Sequence, residues 1–149
     1  MNTCKVIFNG NGYDAANQEK LTKDGLWRID SGVEAICRYT NPKNTALFEE
    51  MKVLTKEECG ARQTVMLNQY VGTVEIEANC MRDMMVQHIL PSLKNAQMDV
   101  KKLEGAIAQL DSAVHGMHKE GDLVKKAQLA RVLRLEVKLF LFLFLFLFY

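Results

Sequence analysis

The chain has 149 residues, 48% of them hydrophobic and 25% charged, and its formal net charge is +1. That length can bury one domain's core, and so even a charge balance gives no field for gathering nucleic acid or an anionic membrane surface. Cys4, Cys37, Cys59 and Cys80 form no C-x-x-C pair, which speaks for free thiols in a reducing intracellular compartment over a zinc site or a disulfide-stapled secreted scaffold.

At the N-terminus, Lys5-Val6-Ile7-Phe8 is a short strand candidate, with an apolar run too brief for a signal-peptide core. It halts at Asn9-Gly10-Asn11-Gly12, where two Asn-Gly pairs predict a turn with positive φ. The third glycine of a phosphate-cradling G-x-G-x-x-G is missing, since Ala15 holds its place, so the segment reads as structural. Asp14 caps a first helix reaching Asp24, and Gly25 stops it. Trp27 and Ile29 are anchors for the connection that follows. Ser31 caps a short helix over Val33–Tyr39. After Asn41-Pro42 another helix spans Lys43–Met51, with Leu47 and Phe48 expected to face inward.

Thr55-Lys56-Glu57-Glu58 is a capping box, in which a hydroxyl and a carboxylate satisfy each other's orphan amides. It opens the central element, Ala61 to Met85. There Leu67, Tyr70, Val71, Val74, Ala78, Met81 and Met85 follow at steps of three and four, the spacing of one buried helix face. Val74-Glu75-Ile76-Glu77 alternates like a strand, but for four residues only, so helix prevails. Pro91 removes a backbone donor and is expected to kink or restart the helix.

Beyond it, Leu93, Ala96, Val100, Leu103, Ile107, Leu110, Val114 and Met117 form a coiled-coil-like seam. His115–Asp122, with two glycines, reads as a turn. Leu123, Ala127, Ala130, Leu133 and Val137 then give a second arm, so Leu93–Val137 is expected to be an antiparallel helical hairpin. The last eleven residues, Leu139 to Tyr149, alternate Leu and Phe. As a helix they span ~17 Å, short of the ~30 Å hydrocarbon core, so a tail anchor is disfavoured. As a strand both faces are apolar, which is an aggregation hazard. Both residues can be written in pyrimidine-only codons, and we hypothesise that the run is a translated pyrimidine tract such as an intron end. A spliced transcript encoding it would exclude that origin.

The sequence therefore predicts a mainly α chain. Residues 1–54 would hold a strand, turns and short helices, residues 55–138 the long helix and hairpin, and residues 139–149 a low-complexity tail.

Candidate chemistry is sparse. Glu75 and Glu77 lie two apart on a helix, ~200° around it, and are no catalytic dyad. Glu75, Asn79 and Asp83 share a face with Arg82 beside it, which reads as a polar stripe that is solvated or faces a neighbouring subunit; a metal would want more converging oxygens. His115 and His118 fall in the expected turn, and His88 sits a turn before Pro91; each reads as a surface histidine. No Ser-His-Asp or Cys-His set can be assembled, so no catalytic, cofactor-binding or metal residue is assigned.

Several segments, in order, carry a family resemblance: Lys5 to Tyr13, Asn44 to Glu49, Val53 to Glu58, Arg62-Gln63, Tyr70 to Asn79, Met81, Asp83-Met84 and Ile89 to Pro91. Over residues 5 to about 95 the chain resembles the C-terminal region of class III, long-chain glutamine synthetases. The resemblance implies a parent reaction of nitrogen metabolism, the ATP-dependent ligation of ammonia to glutamate with Mg2+ or Mn2+. The catalytic apparatus lies upstream of the matched region, so no ligand of ATP, metal or glutamate transfers to a residue of this chain. It further implies a packing role with the upstream catalytic domain, which Asn9–Tyr13 would touch, and with neighbouring subunits of a homo-oligomer. The alternative expectation is a free-standing helical interaction module.

Overall fold

In the computed structural model the described residues are 9–26 and 28–147, with side chains described to residue 136. The expected strand over Lys5–Phe8, Trp27 and the side chains of Val137 and the Leu/Phe tail lie outside them. The mainly α fold is observed. Helices α1 (Ala15–Lys23), α2 (Gly32–Cys37) and α3 (Pro42–Glu50) lead into α4 (Lys56–Met84), which runs through a π turn (Met85–Ile89) into α5 (Leu90–Asn95). Helices α6 (Lys101–Lys119) and α7 (Leu123–Leu147) complete the chain, and no strand occurs among the described residues.

Capping decides several boundaries. Thr55 and Glu58 form both halves of their box: Glu58 N–H donates to Thr55 Oγ1 at 3.2 Å, and Thr55 N–H donates to Glu58 Oε2 at 2.7 Å. Ser31 Oγ accepts from Glu34 N–H and Asn41 Oδ1 from Lys43 N–H, fixing the starts of α2 and α3. Helix α2 is shorter than the expected Val33–Tyr39, because Arg38–Thr40 tighten into a 3₁₀ turn. The Asn9–Asp14 turn also differs from expectation. Gly12 has no positive φ; the Asn11 side chain accepts from Tyr13 N–H at 3.0 Å instead, an Asx turn that replaces left-handed glycine.

The core is the central stripe. Leu67, Val71, Val74, Ala78, Met81 and Met85 are buried and join Val33, Leu103, Met117, Ala127, Ala130 and Leu133 in one cluster. Tyr70 packs on its margin. In α3, Phe48 is half-buried and stacks against Tyr39 with ring centroids 5.5 Å apart. Leu47 is 51% exposed, contrary to the inward orientation expected. The two are 100° apart on the helix, and it is the Phe48 side that turns to Tyr39.

Pro91 does not break the rod. Lys56 to Asn95 form one 40-residue helical element. Leu90 N–H bonds Met85 carbonyl across the wider π turn, and Ser92 Oγ donates to His88 carbonyl at 2.7 Å. A π turn is one of the adjustments by which a helix takes in a proline.

The break falls later. The hairpin arm expected from Leu93 stops at Asn95 and resumes at Lys101. Gln97 adopts φ 56°, with Gln97 N–H bonded to Lys94 carbonyl and Met98 N–H to Leu93 carbonyl. That pair of bonds is a Schellman stop. The turn is narrower than expected as well: α6 is helical through Lys119, leaving only Glu120–Asp122 to connect the arms. Helix α7 then packs chiefly along α4, and secondarily on α6.

Candidate functional site

Glu75, Glu77 and Arg82 flank the buried stripe of α4, so each reaches a helix packed alongside. On the α6 side, His118 Nε2 lies 2.8 Å from Glu75 Oε1, and Arg82 Nε lies 3.4 Å from Asp111 Oδ1. Seven residues forward in α4 thus match seven back in α6, which is antiparallel register along a heptad. Across the break, Lys94 Nζ of α5 meets Glu104 Oε1 of α6 at 3.1 Å. On the α7 side, the Arg134 guanidinium donates to Glu77 Oε1 at 2.7 Å and its Cζ lies 5.9 Å from the Tyr70 ring centroid. Arg134 Nε is buried without a hydrogen-bond partner.

These ties distribute the sequence candidates. Glu75 and Glu77 point to different neighbours, α6 and α7. Asn79 is half-buried and Asp83 exposed, and neither forms a side-chain hydrogen bond or ion pair among the described residues. Glu75, Asn79 and Asp83 are therefore not drawn to a common point. His88 is exposed on the π turn and His115 is exposed on α6. His118, placed on α6 and not in a turn, is the histidine that sequence reasoning missed as an interhelical partner. The seven-residue step shared by Glu75/Arg82 and Asp111/His118 is the signal that could have found it.

Chemically the arrangement joins helices. Among the described residues no three His, Cys, Asp or Glu side chains gather as metal ligands. Burial pushes the Cys37 thiol up from its ordinary range and the nearby Glu34 carboxylate adds to the shift, which keeps it a thiol and not the reactive thiolate. Cys59 is buried and Cys80 exposed. No helix among the described residues is long and apolar enough to cross a membrane.

Large apolar side chains remain uncovered on the body's outside. Tyr13 is 94% exposed, Met51 65% and Val53 59%, and Val65 and Ile76 stand out from α4.

Residues 1–109 match the family model described as glutamine synthetase C-terminal domain. The chain is 30% identical over 103 residues to a type-3 glutamine synthetase of Dictyostelium discoideum, covering 69% of this chain and 14% of that protein. It is 28% identical over 98 residues to a glutamine synthetase of Butyrivibrio fibrisolvens, covering 66% and 14%. A glutamine synthetase of Bacteroides fragilis (strain YCH46) is 29% identical over 86 residues, with 58% and 12% covered. The chain therefore spans only 12% to 14% of the length of these curated relatives.

Proposed function

The chain belongs to the glutamine synthetase C-terminal domain family, and from that premise we propose that it is a packing and oligomerisation region of a class III enzyme, inactive as a ligase by itself. The parent reaction on this reading is the ATP-dependent ligation of ammonia to glutamate with Mg2+ or Mn2+, performed upstream of this segment. The family match over residues 1–109 carries the reading and weighs against a free-standing interaction module. Two further observations support it. Glu75, Glu77 and Arg82 of α4 are engaged in tying helices together, and Tyr13, Met51 and Val53 are large apolar side chains left exposed, each available to a contact with another body.

On this reading Asn9–Tyr13 and the end of α3 meet the upstream catalytic domain, while other faces meet neighbouring subunits. Two measurements test it. The full chain, supplied with glutamate, ammonia, ATP and Mg2+, should form no glutamine above background; measurable turnover overturns the proposal. It should also bind a class III glutamine synthetase truncated before the equivalent of residue 9, and Tyr13→Asp should weaken that binding.

A further inference from the structure

We infer that the outer face of α4 is a self-complementary surface on which a second copy of this chain docks antiparallel, with the two-fold axis passing between Gly72 and Thr73. The inference rests on the packing role proposed above and names one partner for it. Val65, Gln69, Gly72, Ile76, Cys80 and Asp83 recur at steps of three, four and seven, so they line one side of the helix. That side lies opposite the buried stripe of Leu67, Val71, Val74, Ala78 and Met81. Val65 is 64% exposed and Ile76 66%, and Cys80 is exposed with a free thiol.

Gly72 sits at the centre of this face. A glycine within a helix weakens it relative to alanine. Packing inside the chain does not ask for it, since a Cβ built there meets nothing within 4 Å. A missing side chain at that point lets another backbone come close.

Charge selects the occupant and its direction. Arg62 and Asp83 lie at opposite ends of the same face, both exposed. Among the described residues neither makes an ion pair within the chain, although the Arg62 charge reaches Glu58. An antiparallel copy turned about Gly72/Thr73 sets Arg62 of each chain against Asp83 of the other, twice. It also sets Val65 against the copy's Cys80, and Gln69 against the copy's Ile76. A parallel copy would oppose Arg62 to Arg62 and Asp83 to Asp83, placing like charges together. One helix pair buries less than the roughly 1,200–2,000 Å² of a standard stable interface, so the contact is best read by trapping it.

The test is disulfide trapping with diamide on the full chain carrying Val65→Cys. Positions 65 and 80 are ~22 Å apart along one helix at ~1.5 Å per residue, so a bond between them must join two chains. The expected result is a dimer whose 65–80 linkage is identified by peptide mass spectrometry and is lost when Cys80→Ser is added. Arg62→Asp should cut its yield several-fold, and Arg62→Asp with Asp83→Arg should restore it. A Cys80–Cys80 link in the unsubstituted chain, or no 65–80 link in the variant, overturns the inference. If the link fails while the chain still binds the truncated synthetase, the symmetric contact falls and the packing role stands. If both fail, both fall.

Discussion

Arg134 on α7 and Glu77 on α4 are joined across 57 positions of sequence by a 2.7 Å hydrogen-bonded ion pair. Both side chains are about one-third exposed, at 33% and 39%, and the guanidinium also lies over Tyr70. Partial burial raises the worth of such a pair above that of a free surface contact, and the buried, unpartnered Nε leaves Arg134 dependent on the one carboxylate it has. Of the polar ties along α4, this one holds the helix that packs most extensively on it.

Replacing Glu77 by Gln should therefore lower stability by about 1 kcal/mol in urea denaturation, and Glu77→Ala by somewhat more. A double-mutant cycle with Arg134→Met isolates the pair, with an expected coupling of roughly 0.5–1 kcal/mol. Zero coupling would mean that α7 is held by apolar packing alone.

The packing itself is tested by two leucines that look equivalent in the sequence. Leu67 is 1% exposed and Leu47 is 51% exposed. Leu67→Ala should cost ~2–5 kcal/mol through lost transfer energy and the cavity left behind. Leu47→Ala should stay within ~0.5 kcal/mol in the isolated chain. A comparable loss at both sites would contradict the burial pattern.

That contrast marks where the sequence is readable. The α4 stripe is legible because six buried residues repeat at helical spacing over five turns, so a single error of phase would be visible. Thr55 and Glu58 are legible because a capping box is local chemistry, complete within four residues. Leu47 is not, since which face of a nine-residue helix turns inward depends on the position of α4, which no local signal encodes. His118 was hidden for a related reason. Gly116 and Gly121 suggest a loop, yet only the second lies outside α6, because Met117 between them is buried and its packing outweighs the weak helix propensity of one glycine. The seam from Leu93 to Met117 is interrupted at the Gln97 break, where Ala96 is exposed instead of facing inward, while Leu93 before it and Leu103 to Met117 after it pack on the same core.

Among the described residues three helices end in Schellman stops, and one of the three places glycine at the left-handed position. Gly25 has φ 87°, while Lys52 and Gln97 take φ 53° and 56°. Lys52 N–H and Val53 N–H bond the Glu49 and Phe48 carbonyls, as Gln97 and Met98 do one stop later. A side chain in that region costs about 1 kcal/mol relative to glycine. Lys52→Gly and Gln97→Gly should thus each stabilise the chain by up to ~1 kcal/mol, and Gly25→Ala should destabilise it by about as much. Midpoints of chemical denaturation compared at constant slope read all three, and a loss at Gln97→Gly would show that the break before α6 is not limited by its backbone.

The capping box makes a prediction about acid. The Thr55 backbone N–H, followed by its hydroxyl and then the Arg62 charge, holds the Glu58 carboxyl below the ordinary carboxylate range. A group whose folded pKa lies below its unfolded value of about 4.3 stabilises the fold fully above that value and ceases to as pH falls through the folded one. Stability owed to this box should be level from neutral pH down to about pH 5 and decline below about pH 4. Glu58→Gln should remove that part of the acid dependence. Thr55→Ala should raise the Glu58 pKa toward the free value, because the hydroxyl is gone and the frayed first turn no longer aims the Thr55 amide at the carboxylate. Side-chain carbon NMR titration of Glu58 measures the shift directly. An ordinary pKa there in the unsubstituted chain would mean that α4 starts without its cap, and that the buried stripe alone fixes where the helix begins.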